Sequence, residues 1–197
     1  MGTRNLEVVV LNGEIRVGNY SQWDGSPASQ GMTSLRFLRD KLNKEQFVEK
    51  IQKSSWIKPK ELKKLWNSVG ADPKSDMVDW EVSKKFSEKY PWLHRDCGAK
   101  IFEIIQENES GIKLQNTVSF AADSLFCEWA YVVDLDKNTF EIYKGFNETP
   151  LEENDRFYFL QKPNSEYYPV KMIKSYSLDN LPTDEEFLED LVEKEEA

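Results

Sequence analysis

The chain has 197 residues, 39% of them hydrophobic and 13% aromatic, and 26 Lys+Arg against 35 Asp+Glu give a net charge of −9. That is enough apolar material for one domain with a core, and the negative balance repels phosphate backbones, which excludes a protein whose main task is direct nucleic-acid binding. No apolar run reaches the ~18 residues of a membrane span, and the first residues lead into strand-like sequence instead of a signal-type apolar region, so a cytoplasmic protein without membrane contact is expected.

The first elements are the clearest. "LEVVVLNGEIRVGNYSQW" reads as a hairpin, because two β-branched runs flank Asn12-Gly13, a dipeptide that accepts positive φ at both centres of a tight turn. In the second strand, alternation predicts Ile15 and Val17 on one face and Arg16 and Tyr20 on the other. "YSQWDGSPASQG" then breaks every regular pattern with Gly25, Pro27 and Gly31, and reads as a loop.

Leu35, Leu38 and Leu42 predict an amphipathic helix from Met32 to Asn43 with Thr33 as its cap. Further helices are expected over 45–53, over 59–69 from a proline start, over 79–90 up to Pro91, and over 96–108 with Ile101, Ile104 and Ile105 on one stripe. "LFCEWAYVVDL" and "TFEIYKGF" form a second hairpin around "DKN"; "RFYFLQK" and "VKMIKSYSL" are expected as two more strands. "PTDEEFLEDLVEKEEA" is an acidic helix or tail in which Phe187, Leu188, Leu191 and Val192 can dock. The expected architecture is a single α+β domain over residues 1–182, in which N- and C-terminal hairpins share one antiparallel sheet around a central helical region, followed by the acidic segment 183–197.

Candidate chemistry concentrates in the opening loop. Trp23 can stack on a planar group, Asp24 can take a proton or hold a cation, Gln22 and Gln30 can donate and accept, and Gly25 and Gly31 admit a ligand to the backbone. Arg4 or Arg16 would add positive charge, and a helix starting near Met32 would aim free amides at the same spot. A small polar or nucleotide-like ligand is the expected occupant. The alternative is an ordered turn in which the same groups serve the fold.

Elsewhere the signals are thinner. His94 and Cys97 lie three apart, but they lack a third member unless Asp96 turns toward the histidine, and their spacing aims it away. Asp134, Asp136 and Asn138 have the opening spacing of a calcium loop, yet Thr139 stands where glycine is needed and Gly145 where glutamate is needed, so a hairpin turn is expected. Cys97 and Cys127 are too few for a disulfide framework or a zinc site, and no cofactor or metal is expected. Leu6 occupies the position where an N-myristoylation signal carries Ser or Thr.

"MGTRNLEVVV", "YSQWDGSPASQG" and "EWAYVVDLDKNTFEIYKGF" together resemble a family of small phage, bacterial and fungal proteins marked by an N-terminal Gly-Thr-Arg and a Gln-Trp-Asp-Gly-x-Pro-x-Gly-Gln-Gly loop. Here Ser26 and Ser29 replace the family's usual tyrosine and glycine. The resemblance carries no catalytic residues to transfer, but it implies an accessory factor of a phage or mobile element whose partner is a small ligand or a host protein. More distantly, the start is similar to that of N-terminal-nucleophile amidohydrolases, but Gly2 has no side chain to attack with, and Thr3 would need to become terminal. Binding without covalent catalysis is therefore the expected function. The alternatives are inhibition of a host protein through the acidic surface, and amide or glycosyl hydrolysis by Asp24, Thr3 or Cys97.

Overall fold

The computed structural model describes residues 2–75 and 77–192, so residues 193–197 of the acidic segment lie outside the described residues. Strands β1 (Asn5–Leu11) and β2 (Glu14–Ser21) form the expected hairpin, with φ of +56° at Asn12 and +73° at Gly13. A bulge between Val9 and Val10 leaves Arg16 as the extra residue of β2: Val9 pairs with Val17, and Val10 with Ile15. The extra residue shifts the alternation, so Val17 and Ile15 pack on opposite faces of the sheet instead of sharing one.

The chain then enters a continuous helical run made of a π-helical turn Pro27–Gly31, α1 (Met32–Arg36) and a second π-helical turn Phe37–Lys41. The helix therefore starts at Pro27, five residues before the expected start. Thr33 is not its cap: Thr33 Oγ1 and Ser34 Oγ donate back to the carbonyls of Ser29 and Gln30, both at 2.9 Å. Such i−4 hydroxyl bonds loosen the ordinary ladder at the point where it widens. Helices α2 (Lys44–Lys53), α3 (Pro59–Ser68) and α4 (Trp80–Lys89) follow close to expectation. Helix α5 begins only at Lys100 and ends at Glu107, because Gly98 adopts a left-handed φ of +56° and breaks the expected first turn.

Short strands β3 (Ser55–Trp56) and β4 (Lys113–Leu114) pair in parallel. The second hairpin is β5 (Trp129–Asp134) and β6 (Thr139–Lys144), and β7 (Lys171–Ser177) adds to it. "RFYFLQK" is not a strand; it holds a single 3-10 turn, Tyr158–Leu160. Arg156 explains this, since its guanidinium crosses to Asp134 at 2.5 Å and Glu141 at 2.8 Å and pulls the chain over the sheet face, where Phe157 meets Tyr143 edge-on.

One five-stranded sheet results, ordered β2-β1-β5-β6-β7. The two hairpins do share it, but the sheet is mixed: β1 and β5 run parallel, from Asn5 beside Trp129 to Val10 beside Asp134. A parallel neighbour requires a long crossover, which the central helices supply. Every residue of β1 is buried, as expected of a strand covered on both faces. One face packs Val9, Val133 and Phe140 on Leu35, Phe47, Ile51 and Phe102. The other packs Leu6, Val8 and Val132 under Ala121, Leu151, Phe157 and Val170.

The final helix α6 (Asp184–Val192) is part of the first core through Phe187 and Leu191. It opens with a reciprocal capping pair, Glu186 N to Thr183 Oγ1 at 3.2 Å and Thr183 N to Glu186 Oε2 at 2.8 Å. No helix among the described residues is long and apolar enough to cross a membrane.

Candidate functional site

The opening loop is built inward. Gly25 N donates to Thr3 O at 2.9 Å, and Gly25 O accepts from the buried Tyr131 hydroxyl at 2.8 Å. A Cβ at Gly25 would stand 2.8 Å from the Arg4 carbonyl carbon, and one at Gly31 would stand 2.8 Å from the Tyr131 ring. Both glycines thus admit protein, not ligand. Gln30 accepts from Ala99 N at 2.8 Å, and its amide reaches Trp23 O at 3.4 Å. Its polar atoms therefore tie the loop to the turn before α5.

Trp23 is 45% exposed, with its indole laid against Gly2, where a Cβ would come within 2.1 Å of the ring. Asp24 is exposed at a left-handed φ of +59°. Arg16 does not join the loop. Displaced by the bulge at the far end of β2, it donates to Ile51 O at 3.3 Å and Ser54 O at 3.4 Å, at the carboxyl end of α2. The first turn of the helical run, Ser26 to Ala28, instead borders a cavity of about 240 Å³ together with Glu128, a carboxylate where an anion site would carry a cation.

Two of the expected residues do converge, on a residue outside the expected set. The Tyr20 hydroxyl donates to Gln22 Oε1. Burial raises the Tyr20 phenol, while the guanidiniums of Arg4 and Arg95 pull it back. Arg4 also lies 5.0 Å over the Phe126 ring, and Gln22 N donates to Arg95 O at 3.0 Å.

Tyr20 forms one edge of a groove of about 360 Å³ between β2 and the α3–α4 pair. Trp66 and Val78 form the outer wall; Trp66 is itself stacked on Phe86 at 3.6 Å. Leu93, His94 and Arg95 form the inner wall, and Asn19, Ser83 and Gln115 complete the lining. The volume and the mixture of apolar surface with a few polar groups are those of a small-molecule site.

His94 is 8% exposed and has a partner on each ring nitrogen. Nε2 lies 3.0 Å from Ser83 Oγ, in the second turn of α4. Nδ1 lies 3.4 Å from Asp96 Oδ2 and 3.3 Å from Asp96 N. Asp96 thus turns toward the histidine, contrary to the expectation from spacing, because the chain reverses after the 3-10 turn Pro91–Leu93 instead of continuing as helix. Burial pushes the imidazole below its ordinary pKa; Asp96 opposes this and Arg95 adds to it, leaving a neutral ring near neutral pH.

Cys97 is no nucleophile here. It is buried, it precedes left-handed Gly98 rather than opening a helix, and burial together with nearby Glu7 pushes its thiol up to about 12. Behind the groove, Asn19 Nδ2 reaches Glu7 Oε2 at 3.0 Å, and Asn5 Nδ2 reaches Glu7 Oε1 at 2.5 Å. Burial raises the Glu7 carboxyl to about 7 against these stabilising bonds. The Asp134–Asn138 turn is occupied by the fold: Asp134 accepts from Lys137 N at 2.8 Å, and Asp136 accepts from Asn12 N and Gly13 N, both at 2.8 Å.

Ser83 carried no motif in the sequence. The available signal was a serine eleven residues before the lone histidine, across a helix end marked by Pro91. No family model, curated protein or solved structure matches the chain.

Proposed function

We propose that the protein binds a small planar molecule carrying a carboxylate or phosphate in the groove between β2 and the α3–α4 pair. The observation that carries this is Arg95 standing with Tyr20 and Trp66 in the wall of a cavity of about 360 Å³, in a chain of net charge −9. A cationic spot on an acidic surface attracts an anion locally while the rest of the surface repels polyanions. Trp66 supplies an aromatic wall, and Asn19 and Gln115 supply amide groups for orientation.

The expectation of a ligand at the opening loop is thereby moved one strand end over. Gln22 stays beside the site through its bond to Tyr20, Arg4 lies over Phe126, and Gly25, Gln30 and Gly31 become the scaffold behind it. The acidic helix fits an inhibitory role less well, since Asp184 is held by Arg36 at 2.6 Å and Arg39 at 3.0 Å.

Titration calorimetry with AMP, benzoate and inorganic phosphate tests the reading. Binding of AMP or benzoate should weaken about tenfold in Arg95→Ala, equivalent to ~1.4 kcal/mol, and should be unaffected by Gln30→Ala in folded protein. Equal affinity in wild type and Arg95→Ala, or no binding of any probe, would overturn it.

A further inference from the structure

A ligand site needs hydrogen-bond donors and a shaped wall, and the groove has both without Ser83 and His94. What those two add is a pairing of a different kind. A serine hydroxyl stands 3.0 Å from the Nε2 of a histidine that is almost fully buried, and a carboxylate stands 3.4 Å from the other nitrogen of the same ring. This is the order of groups that makes serine a nucleophile: hydroxyl, imidazole base and an acid that orients the imidazole and stabilises its cation.

We propose that the groove is the active site of a serine esterase, with Ser83 as nucleophile, His94 as general base and acid, and Asp96 as the positioning residue, acting on esters or thioesters of small acids. The proposal rests on the groove being a ligand site and adds a reaction to it.

Each imidazole tautomer makes a distinct set of contacts. With the proton on Nε2, the ring donates to Ser83 Oγ and Nδ1 accepts from Asp96 N at 3.3 Å; this form cannot take the serine proton. With the proton on Nδ1, the ring faces the Asp96 carboxylate, and Ser83 donates to Nε2. The Asp96 amide favours the first form and the Asp96 carboxylate the second, and the carboxylate's share grows once the ring becomes cationic.

In the reaction, Ser83 Oγ attacks the acyl carbon as its proton passes to Nε2, and the Oγ–C bond forms. The tetrahedral centre collapses by breaking the C–O or C–S bond, and the departing alkoxide or thiolate takes the proton from Nε2. Water then adds to the acyl-serine, giving one proton to His94. When the Oγ–C bond breaks, that proton returns to Ser83, and the acid leaves. The net change is one ester and one water to one acid and one alcohol or thiol, with no redox partner.

The groove's surfaces match this assignment. Trp66, Val78 and Leu93 offer an apolar wall to the acyl group, and Arg95 offers a cation to an anionic end of the substrate. Asp96 is 50% exposed, so its help to the imidazolium is screened by water. That limits the leaving groups to good ones, which is why esters and thioesters are proposed in place of amides.

The test begins with the wild-type protein, so that it does not depend on any variant folding. A fluorophosphonate probe should label it at one site, with peptide mapping placing the adduct on Ser83, and p-nitrophenyl acetate and benzoate should be hydrolysed. Ser83→Ala should abolish both signals. His94→Gln should lower hydrolysis at least 100-fold. Asp96→Asn should lower it less and move the acid limb of the pH profile downward, because Asp96 raises the His94 pKa. Gln30→Ala, outside the groove, should leave hydrolysis unchanged. If the probe fails to label Ser83 under conditions that label a known serine esterase, or if Ser83→Ala hydrolyses as fast as wild type, the Ser83–His94 bond is only a tie between α4 and the Pro91 turn. AMP or benzoate binding in the same preparations separates the failures: binding without labelling overturns the reaction alone, and labelling without binding overturns the anion reading alone.

Discussion

The loop at Trp23 and the groove at His94 contain much the same chemistry, with amides, a carboxylate, an aromatic ring and a nearby arginine in each, and the fold uses them in opposite ways. In the loop, Gln30 is consumed by Ala99 N and Trp23 O, and Gly25 by Thr3 and Tyr131. In the groove, Ser83 Oγ and His94 Nε2 are bonded to each other beside open volume, only the far nitrogen of the ring meets the Asp96 backbone, and Arg95 is 61% exposed. A polar group whose partner is backbone is spent on the fold, whereas a polar group whose partner is another side chain beside a cavity can exchange that partner for a ligand.

The sharpest way to break this contrast is at the glycines. If the loop were a ligand site, a methyl group at Gly25 would fill space reserved for the ligand and leave the fold intact. The contacts instead predict that Gly25→Ala, whose Cβ would stand 2.8 Å from both the Arg4 carbonyl carbon and Asn5 Cβ, destabilises the protein. Because backbone cannot swing aside as a side chain can, the loss should be about 3 kcal/mol or more, read as a Tm fall on the order of 10 °C.

Glu7 connects the two regions, since the same buried row holds Asn5 under the loop and Asn19 at the groove, and its effect should depend on pH. Burial lifts its carboxyl from 4.5 to about 7, so the native state binds this proton more tightly than the unfolded chain does. Its contribution to stability is fully present below pH 4.5, is lost as the pH rises to about 7, and is constant above that. Glu7→Gln removes the titration, so relative to wild type the variant should gain roughly 2–3 kcal/mol between pH 4.5 and 8 in denaturant unfolding. A difference that stays flat across that range would show that Glu7 is not held in this buried row.

Local pattern carried most of the element positions, and long-range pairing carried the errors. Asn12-Gly13, the prolines at 59 and 91 and the isoleucine stripe of α5 each act within a few residues and were legible. The direction of β1 against β5 was not, because alternation records which face is buried and not which way the neighbour runs; only the unbroken valines of β1 hinted at two covered faces. The bulge at Arg16 inverted the facing of half a strand and took that arginine out of the expected site. The loop's role was not legible, because glutamine and tryptophan are equally suited to gripping backbone and gripping a ligand. The groove escaped notice because its wall is assembled from Asn19, Trp66, Ser83, His94 and Gln115, which only the crossover brings together.

Gln30 and Trp23 give the two smaller tests. Gln30→Ala strands Ala99 N, which donates to Gln30 Oε1 at 2.8 Å, and should cost about 1–2 kcal/mol while leaving the groove's ligand affinity intact. Trp23 should matter least, because it is 45% exposed and its ring covers the backbone of Gly2 without closing a cavity. Trp23→Ala is expected to change stability by no more than about 0.5 kcal/mol. The informative measurement is the coupling with Gly2→Ala: a Cβ there would fall within 2.1 Å of the indole, so the ring must swing into water when alanine is introduced alone. Gly2→Ala in the wild-type background should therefore red-shift the emission of Trp23, isolated as a difference spectrum against Trp23→Phe, and should cost less once Trp23 is already alanine, when only the 3.0 Å approach to Gln22 O is left. A nonzero coupling of a few tenths of a kcal/mol in that cycle, with AMP or benzoate affinity unchanged in all of its members, places Trp23 as a cover on the first residues. Loss of ligand affinity in Trp23→Ala would instead return the indole to the site and dissolve the contrast between loop and groove.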